Sequence, residues 1–209
     1  MKKILTGVFV WSLSHFVVAE TLSVDYASFY SHLAKIDNDD TPALQFAFGF
    51  KNITDGSLCE ITAAKIVTQK VTLPVTVTTE NRFLLPTEKA LKQARATVEL
   101  DIKQPTNQCD MSVQLETKSE YLKNHYSHHE IQDIYHQYNV FFDDMGGFLS
   151  FMMPSVTGLK FYFEALERDS VPSELYIDKQ HVVLTETWIE QGKQIDFSEA
   201  PYRITATTN

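Results

Sequence analysis

Apolar residues alternate with polar or small residues in a run that begins at Leu44. The apolar positions are Leu44, Phe46, Phe48 and Phe50, and the intervening positions are Gln45, Ala47 and Gly49, followed by Lys51. Because successive side chains of a β-strand point to opposite faces, this period of two predicts a strand with one heavily apolar face.

Shorter runs of the same period follow, separated by turn residues. The stretch from Ala64 to Leu85 is rich in Val, Thr and Ile, and Pro74 within it predicts an edge strand because proline cannot donate to a ladder. Strands are also predicted around residues 98–102 and 111–115, with Pro105-Thr106-Asn107 as the turn that joins them into a hairpin. Together these runs favour a small sandwich or barrel-like sheet.

Helical spacing occurs in two longer stretches. Ser23 to Ile36 predicts an amphipathic helix with Ser23 or Asp25 as N-cap, and a second helix is predicted from about Tyr126 to Met145, ended by Gly146-Gly147. A short helix is also predicted over residues 87–94, with Thr87 as its cap.

Further strands are predicted in the C-terminal part of the chain. Residues 148–163 are interpreted as two strands around a turn, broken at Pro154 and Gly158. Residues 175–177, 181–189 and 195–204 give further strands, with Gly192 and Pro201 as the residues that interrupt them.

The fold class predicted from these elements is α+β, mainly β. A disulfide-stapled antiparallel sheet or sandwich region, roughly residues 40–118, is expected to pack with two helices and a second, C-terminal strand set. Residues 20–209 are expected to form a single α+β domain, and a sub-division into 20–120 and 121–209 is left open.

Residues 1–19 match a secretory signal peptide. Lys2 and Lys3 form a basic start, Ile4 to Val18 are mainly apolar, and Val17-Val18-Ala19 is a small-residue cleavage site. The apolar run is short for a bilayer span, so we predict a cleaved leader and an exported, periplasmic protein that does not span the membrane.

The charge of the mature chain argues against nucleic acid as a partner. Without Lys2 and Lys3, the 18 basic residues become 16 against 27 acidic ones, a net charge of −11. A surface of that sign repels phosphate backbones and anionic headgroups.

Cys59 and Cys109 are the two cysteines of the chain. In an exported protein they predict one disulfide, with two buried free thiols as the alternative. Because they are far apart in sequence and form no CxxC pair, a redox role is not expected.

Several of these stretches together resemble a known family. They are Asp25-Tyr26 with Phe29-Tyr30, the Cys59 strand, Arg82-Phe83-Leu84-Leu85-Pro86 leading to Leu91, the Cys109 strand, and Gly146-Gly147-Phe148 through Pro154 to Gly158-Leu159. In these the chain resembles an uncharacterised domain-of-unknown-function family of small exported gammaproteobacterial proteins. The resemblance implies an exported protein and implies no chemistry.

The histidines between His125 and His136 are the clearest candidate for chemistry. His125 and His129 would be helical neighbours at i and i+4 and could hold a transition metal, with Asp133 as a further weak candidate ligand. His129-Glu130-x-x-Asp133 nearly matches the HExxH zinc motif, but aspartate replaces its second histidine. We therefore interpret the histidines as a solvated helix face, and Met145, Met152 and Met153 as core residues rather than copper ligands.

The sequence contains no recognised catalytic motif, neither GxSxG, SxxK nor a phosphate loop, and it suggests no cofactor. The leading hypothesis is an exported, non-catalytic binding or assembly protein of the bacterial envelope that contacts an unknown protein, glycan or lipid. The alternatives are periplasmic copper or zinc handling through the His125–His136 helix, and a hydrolase whose residues come from separate strands.

Overall fold

The computed structural model describes residues 20–146, 155–166, 171–178 and 180–209. Over these ranges the fold is α+β and mainly β, with antiparallel strand pairs, as the sequence predicts. The helices of the described residues are α1 (Tyr26–Ile36), α2 (Lys89–Gln93), α3 (His128–Gly146) and α4 (Glu186–Glu190).

The first half of the chain forms two sheets. Its strands are β1 (Glu20–Asp25), β2 (Leu44–Asn52), β3 (Ile61–Val67), β4 (Thr72–Pro74), β5 (Phe83–Leu84), β6 (Thr97–Ile102) and β7 (Cys109–Thr117). One sheet has the order β1-β6-β3-β4 and the other has the order β5-β2-β7. Pro74 lies in β4 at the edge of the first sheet, as predicted.

The start of the chain corrects one prediction, because Ser23–Asp25 belong to β1 and not to a helix. Leu22 and Val24 alternate with polar residues and pack against the core, while the whole strand pairs with β6. Helix α1 begins at Tyr26, with Asp25 at the N-cap position but without a side-chain cap bond. The cap of α2 also differs from the prediction, since Glu88 and not Thr87 occupies it.

The two faces of β2 have different roles. Phe46, Phe48 and Phe50 point to the core, where the ring of Phe48 lies 5.0 Å from that of Phe29 of α1 in an edge-to-face contact. The opposite face carries Gln45, Ala47, Gly49 and Lys51. The predicted alternation is therefore confirmed, and Lys51 on the second face lines the cleft described below.

Strand β7 pairs with β2 over its full length and not with β6, so the predicted hairpin is wrong. A short 3-10 turn over Thr106–Gln108 does join the two strands, but it carries the chain from one sheet to the other. Met111 and Val113 are more than a third exposed, and β7 is the terminal strand of its sheet.

The disulfide between Cys59 and Cys109 is confirmed, with a Cα–Cα distance of 6.4 Å. Cys59 lies just before β3 of one sheet, and Cys109 is the first residue of β7 in the other. The bond therefore joins the two sheets of the first half.

The remaining strands are β8 (His125–Tyr126), β9 (Val156–Tyr162), β10 (Tyr176–Asp178), β11 (His181–Thr185), β12 (Ile195–Asp196) and β13 (Arg203–Thr208). They form a sheet of order β10-β11-β9-β13 and a separate β8-β12 pair. Residues 195–204, predicted as strand with Pro201 as an interruption, are divided between β12 and the start of β13. Residues 148–154 of the predicted strand pair lie outside the described residues.

Two further predictions in this half are wrong. Residues 186–189 form α4 rather than a strand, because Thr185 caps a helical turn by accepting a bond from the Trp188 amide, which buries Trp188 and Ile189 together. Gly158 lies inside β9 and not in a turn. A β-carbon there would sit 2.2 Å from the carbonyl oxygen of Leu184 in β11, so the close approach of the strands requires glycine.

Helix α3 begins with a capping box, and this fixes its start at His128 rather than at the predicted Tyr126. The carboxylate of Glu130 accepts bonds from the amide and the hydroxyl of Ser127, at 2.9 and 2.8 Å, and also pairs with Lys123. Lys123 and then Ser127 lower the pKa of Glu130 to about 2.

Replacing Glu130 by glutamine should remove a pH-dependent part of the stability. A carboxyl whose pKa is lowered in the folded state stabilises the fold above its ordinary value near 4.5. That stabilisation disappears as the pH falls through about 2. We expect Glu130→Gln to cost about 1 kcal/mol at pH 7, since the exposed site screens the charge, and much less at pH 2.

Urea unfolding of the wild-type protein and of Glu130→Gln between pH 7 and about pH 2 measures this difference in the free energy of unfolding. Glu120→Gln, which neutralises an exposed carboxylate of the same region, serves as the control and should change little. A difference between wild type and Glu130→Gln that stays constant down to pH 2 would contradict the capping role.

Contacts also connect the two halves of the chain. The rings of Phe46 in β2 and Phe141 in α3 lie 5.7 Å apart, and one cluster of buried residues includes members from both halves. Within the described ranges, no helix is both long enough and apolar enough to cross a membrane. Residues 1–19 lie outside these ranges, so the signal peptide stays a prediction.

Candidate binding cleft

The predicted metal candidates do not converge. His125 lies in β8, before α3 begins, where its Nδ1 atom is 2.5 Å from Oδ1 of Asp196. His129 is strongly exposed on the first turn of α3 and pairs with Asp133 at 2.8 Å. The expected helical stripe therefore lacks His125. The described ranges contain no group of three or more His, Cys, Asp or Glu residues arranged to hold a metal ion.

The methionines give no further support to metal binding. Met145, expected in the core, is 41 % exposed at the end of α3. Met152 and Met153 lie outside the described residues.

A cleft of about 390 Å³ lies between β7 and β13, where the sheets of the two halves of the chain meet. Ser112, Val113, Gln114 and Leu115 of β7 all line it. Alternate side chains of a strand point to opposite faces, so four consecutive residues can border one space only where it runs along the strand's edge. The cleft is therefore a slot beside the edge of β7.

Strand β13 forms the other wall of the slot, through Thr205, Ala206 and Thr208. Each of the two strands is the terminal strand of its sheet. No backbone hydrogen bond joins residues 112–115 to residues 205–208.

Tyr138 of α3 ties the two strands together at one end of the slot. Its fully buried hydroxyl donates to the carbonyl oxygen of Ile204 at 2.8 Å and accepts from Oγ1 of Thr117 at 3.2 Å. Burial raises the pKa of this phenol, so it stays protonated as the bridge requires. Since Thr117 lies beside Ile204 while residues 112–115 lie opposite residues 205–208, β7 and β13 run in opposite directions along the slot.

Arg82, the residue before β5, lies across the polar face of β2. A β-carbon at Gly49 would come within 3.6 Å of Nη1 of Arg82 and within 3.1 Å of the carbonyl oxygen of Asn81. The absence of a side chain at Gly49 therefore leaves room for the guanidinium on the floor of the slot.

The guanidinium of Arg82 is poorly satisfied for so buried a charge. Arg82 is only 6 % exposed, its Nη1 atom makes a long 3.4 Å contact to the carbonyl oxygen of Ala47, and its Nε atom has no hydrogen-bond partner. No carboxylate of the described residues forms an ion pair with it. Burial, and then the nearby charge of Arg203, lower the pKa of Arg82, while the carboxylates of Glu116 and Glu80 act in the opposite direction.

The charged neighbours of Arg82 already have partners. Arg203 donates to Glu80 at 2.7 Å and stacks on the ring of Tyr162, with its guanidinium carbon 4.0 Å from the ring centre. Glu116 accepts from Gln45 at 3.1 Å, and burial raises the pKa of its carboxyl. Arg203 thus has an ion-pair partner and Glu116 has a hydrogen-bond partner, whereas Arg82 has only the long contact to the carbonyl oxygen of Ala47.

The charged side chains among the described residues that line the slot are both cations. Its described lining includes Lys51 and Arg82, several hydroxyls and one amide, and contains no carboxylate. Such a lining suits the binding of a carboxylate or phosphate group.

Comparison with known proteins gives a family but no activity. A family model described as a protein of unknown function, DUF2987, matches residues 18–163, so the chain belongs to this family. The expected resemblance to a domain-of-unknown-function family is thereby confirmed. The match includes Arg82 and β7 and ends before β13. No curated protein and no solved structure matches the chain.

Proposed function

We propose that this protein is an exported, non-catalytic binding protein that holds an anionic group of its ligand in the slot between β7 and β13. One observation carries the proposal: Arg82 is buried at the slot with its Nε atom unpartnered. A buried charge without a partner is costly, and a bound carboxylate or phosphate would offset that cost.

The lining of the slot favours binding over hydrolysis. General acid–base catalysis needs a titratable group that can reach the substrate. Glu116, the nearby carboxyl with a raised pKa, is hydrogen-bonded to Gln45 and is not among the described residues that line the slot. The cations, hydroxyls and amide that line the slot can bind an anion and form hydrogen bonds, but the described lining contains no pair of a general acid and a general base.

Metal handling has less support than anion binding. His125 and His129, the pair on which it depended, belong to different elements and each has its own aspartate partner. Export is supported by the disulfide, because such bonds persist in oxidising compartments.

Binding of a simple anion to the mature protein, residues 20–209, tests this proposal. We expect citrate, with three carboxylates, to raise the melting temperature of the wild-type protein and to give a measurable heat of binding. Arg82→Met, which keeps an unbranched side chain of similar bulk, should weaken citrate binding at least tenfold, since a hydrogen bond to a charged group contributes about 1.5–3 kcal/mol.

Arg95→Met is the matched control, because it removes the same charge from an exposed position outside the slot. It should bind citrate as the wild-type protein does. Equal affinity of Arg82→Met and wild type would refute the proposal, and so would the absence of citrate and phosphate binding by the wild-type protein.

A further inference from the structure

The carboxyl of Glu116 in β7 lies on the same face of the sheet as the guanidinium of Arg82. Glu116 is the register partner of Gln45 in β2. Two residues further along β2 is Ala47, whose carbonyl oxygen contacts Nη1 of Arg82. Residues two apart on a strand point to the same face and lie about 7 Å from each other. The carboxyl and the guanidinium are therefore neighbours.

This carboxyl is near Arg82 without being paired to it. Gln45 donates to Oε1 of Glu116 at 3.1 Å. Among the described residues, no lysine or arginine forms an ion pair with Glu116. The negative charge of Glu116 therefore acts on Arg82 through space, and it acts equally on any anion that binds to Arg82.

We infer that the slot binds its anion together with a proton, and that Glu116 is the group that takes up the proton. This inference rests on the proposed anion site and concerns the regulation of that site. A negative charge placed at Arg82 repels the carboxylate of Glu116, and protonation of the carboxylate removes the repulsion.

The charged groups around Glu116 come from several elements of the fold. Burial raises the pKa of its carboxyl, the charges of Arg203 and Arg82 lower this pKa, and the charge of Glu80 raises it. Tyr138 of α3 also faces the carboxyl, but burial keeps the phenol protonated. The pKa of Glu116 lies above its ordinary value of 4.5, so the carboxyl titrates closer to neutral pH than most glutamates do.

Linkage gives the direction of the effect. Because an anion bound at Arg82 raises the pKa of Glu116, the complex holds more protons than the free protein at any pH between the two pKa values. The affinity for the anion is therefore highest below this range and falls as the pH rises through it. An anion within about 10 Å of a half-buried carboxyl shifts its pKa by about one unit, which corresponds to about a tenfold change in affinity.

The citrate affinities of the mature wild-type protein and of Glu116→Gln, measured from about pH 8 to pH 4.5, test this inference. Glutamine keeps the size of the side chain and carries no charge. Because the ligand is the same for both proteins, its own ionisation cancels in the ratio of their affinities. We expect Glu116→Gln to bind citrate about tenfold more tightly at pH 8 and with nearly equal affinity at pH 4.5.

Glu120→Gln is the matched control, because it removes the same charge from an exposed position four residues away. It should bind citrate as the wild-type protein does at every pH. A ratio of affinities between Glu116→Gln and wild type that does not change with pH would overturn the inference.

A second measurement uses the wild-type protein alone and does not depend on the folding of a variant. Carbon-13 NMR of the glutamate carboxyls follows the titration of Glu116 with and without saturating citrate. We expect its midpoint to move to higher pH by about one unit when citrate is bound. An unchanged midpoint in the presence of bound citrate would refute the inference.

The outcomes distinguish this inference from the proposal on which it rests. Citrate binding that depends on Arg82 without proton uptake by Glu116 would refute the coupling and leave the anion site standing. Phosphate replaces citrate in each measurement if it is the tighter ligand. If neither citrate nor phosphate bound, both the coupling and the anion site would be refuted.

Discussion

Replacing Gly158 by alanine is expected to lower the free energy of unfolding by roughly 3 kcal/mol or more. The added β-carbon would lie 2.2 Å from the carbonyl oxygen of Leu184 and 3.0 Å from the Cα atom of Thr185, and both are backbone atoms of β11 that cannot rotate away. Overpacking of this kind costs about 1–3 kcal/mol. The φ angle of +158° adds about 1–3 kcal/mol for a residue with a side chain.

Urea unfolding followed by tryptophan fluorescence measures this loss. Gly56→Ala is the matched control, because Gly56 also has a positive φ, of +71°, but a β-carbon there would meet nothing within 4 Å. Gly56→Ala should lower the free energy of unfolding by only about 1–2 kcal/mol, the cost of a positive φ for a residue with a side chain. Equal losses for the two variants would show that the close approach of β9 and β11 does not require glycine.

Removing the disulfide is expected to have the largest effect, a loss of about 4 kcal/mol at 25 °C. Cys59 and Cys109 are 50 residues apart, and in the chain-entropy model opening a loop of that length restores about this much freedom to the unfolded chain. Both residues are buried, so alanine is the better replacement, because a serine hydroxyl would be buried without a known partner.

The double variant Cys59→Ala with Cys109→Ala should unfold at a much lower urea concentration than the oxidised wild-type protein. Addition of a reductant should bring the wild-type protein close to the variant and leave the variant itself unchanged, which makes the variant its own control. An unfolding midpoint of the wild-type protein that does not respond to full reduction would contradict the expected stabilisation.

Local patterns predicted the elements whose periodicity is strong. The alternation around Phe46 and Phe48 predicted β2, and the spacing of Phe29 and Leu33 predicted most of α1. The sequence also contains a signal for the start of α3, since Ser127-x-x-Glu130 is a capping-box pattern, whereas the apolar stripe alone places the start near Tyr126. His125 lies before this start, in β8, and so cannot be a helical neighbour of His129.

Pairing partners could not be read from local patterns. The turn between β6 and β7 is equally compatible with a hairpin and with a crossing between sheets, and only the pairing of β7 with β2 decides between them. The short apolar alternation of Leu22 and Val24 gave too little signal to separate β1 from the helix that follows.

The slot could not be predicted from the sequence either, because it depends on how distant strands lie beside each other. In the sequence Arg82 belongs only to a family-like motif, because a single arginine beside a strand indicates no particular chemistry. Its burial depends on the missing side chain of Gly49, and the wall opposite β7 comes from β13 much later in the chain. The best available signal was the polar and small face of β2, which indicated that something other than core packs there.

The ion pair between Glu80 and Arg203 has a kinetic consequence, because 123 residues separate its partners. Contacts between such distant residues form late, since the entropy of closing the loop must be overcome before they contribute any energy. Variants at Arg203 should therefore accelerate unfolding and leave the refolding rate nearly unchanged. Before β13 docks, the edge of β7 is exposed to solvent next to the side chains of Met111 and Val113. We therefore expect edge-to-edge aggregation to be most probable in the refolding intermediate that lacks a docked β13.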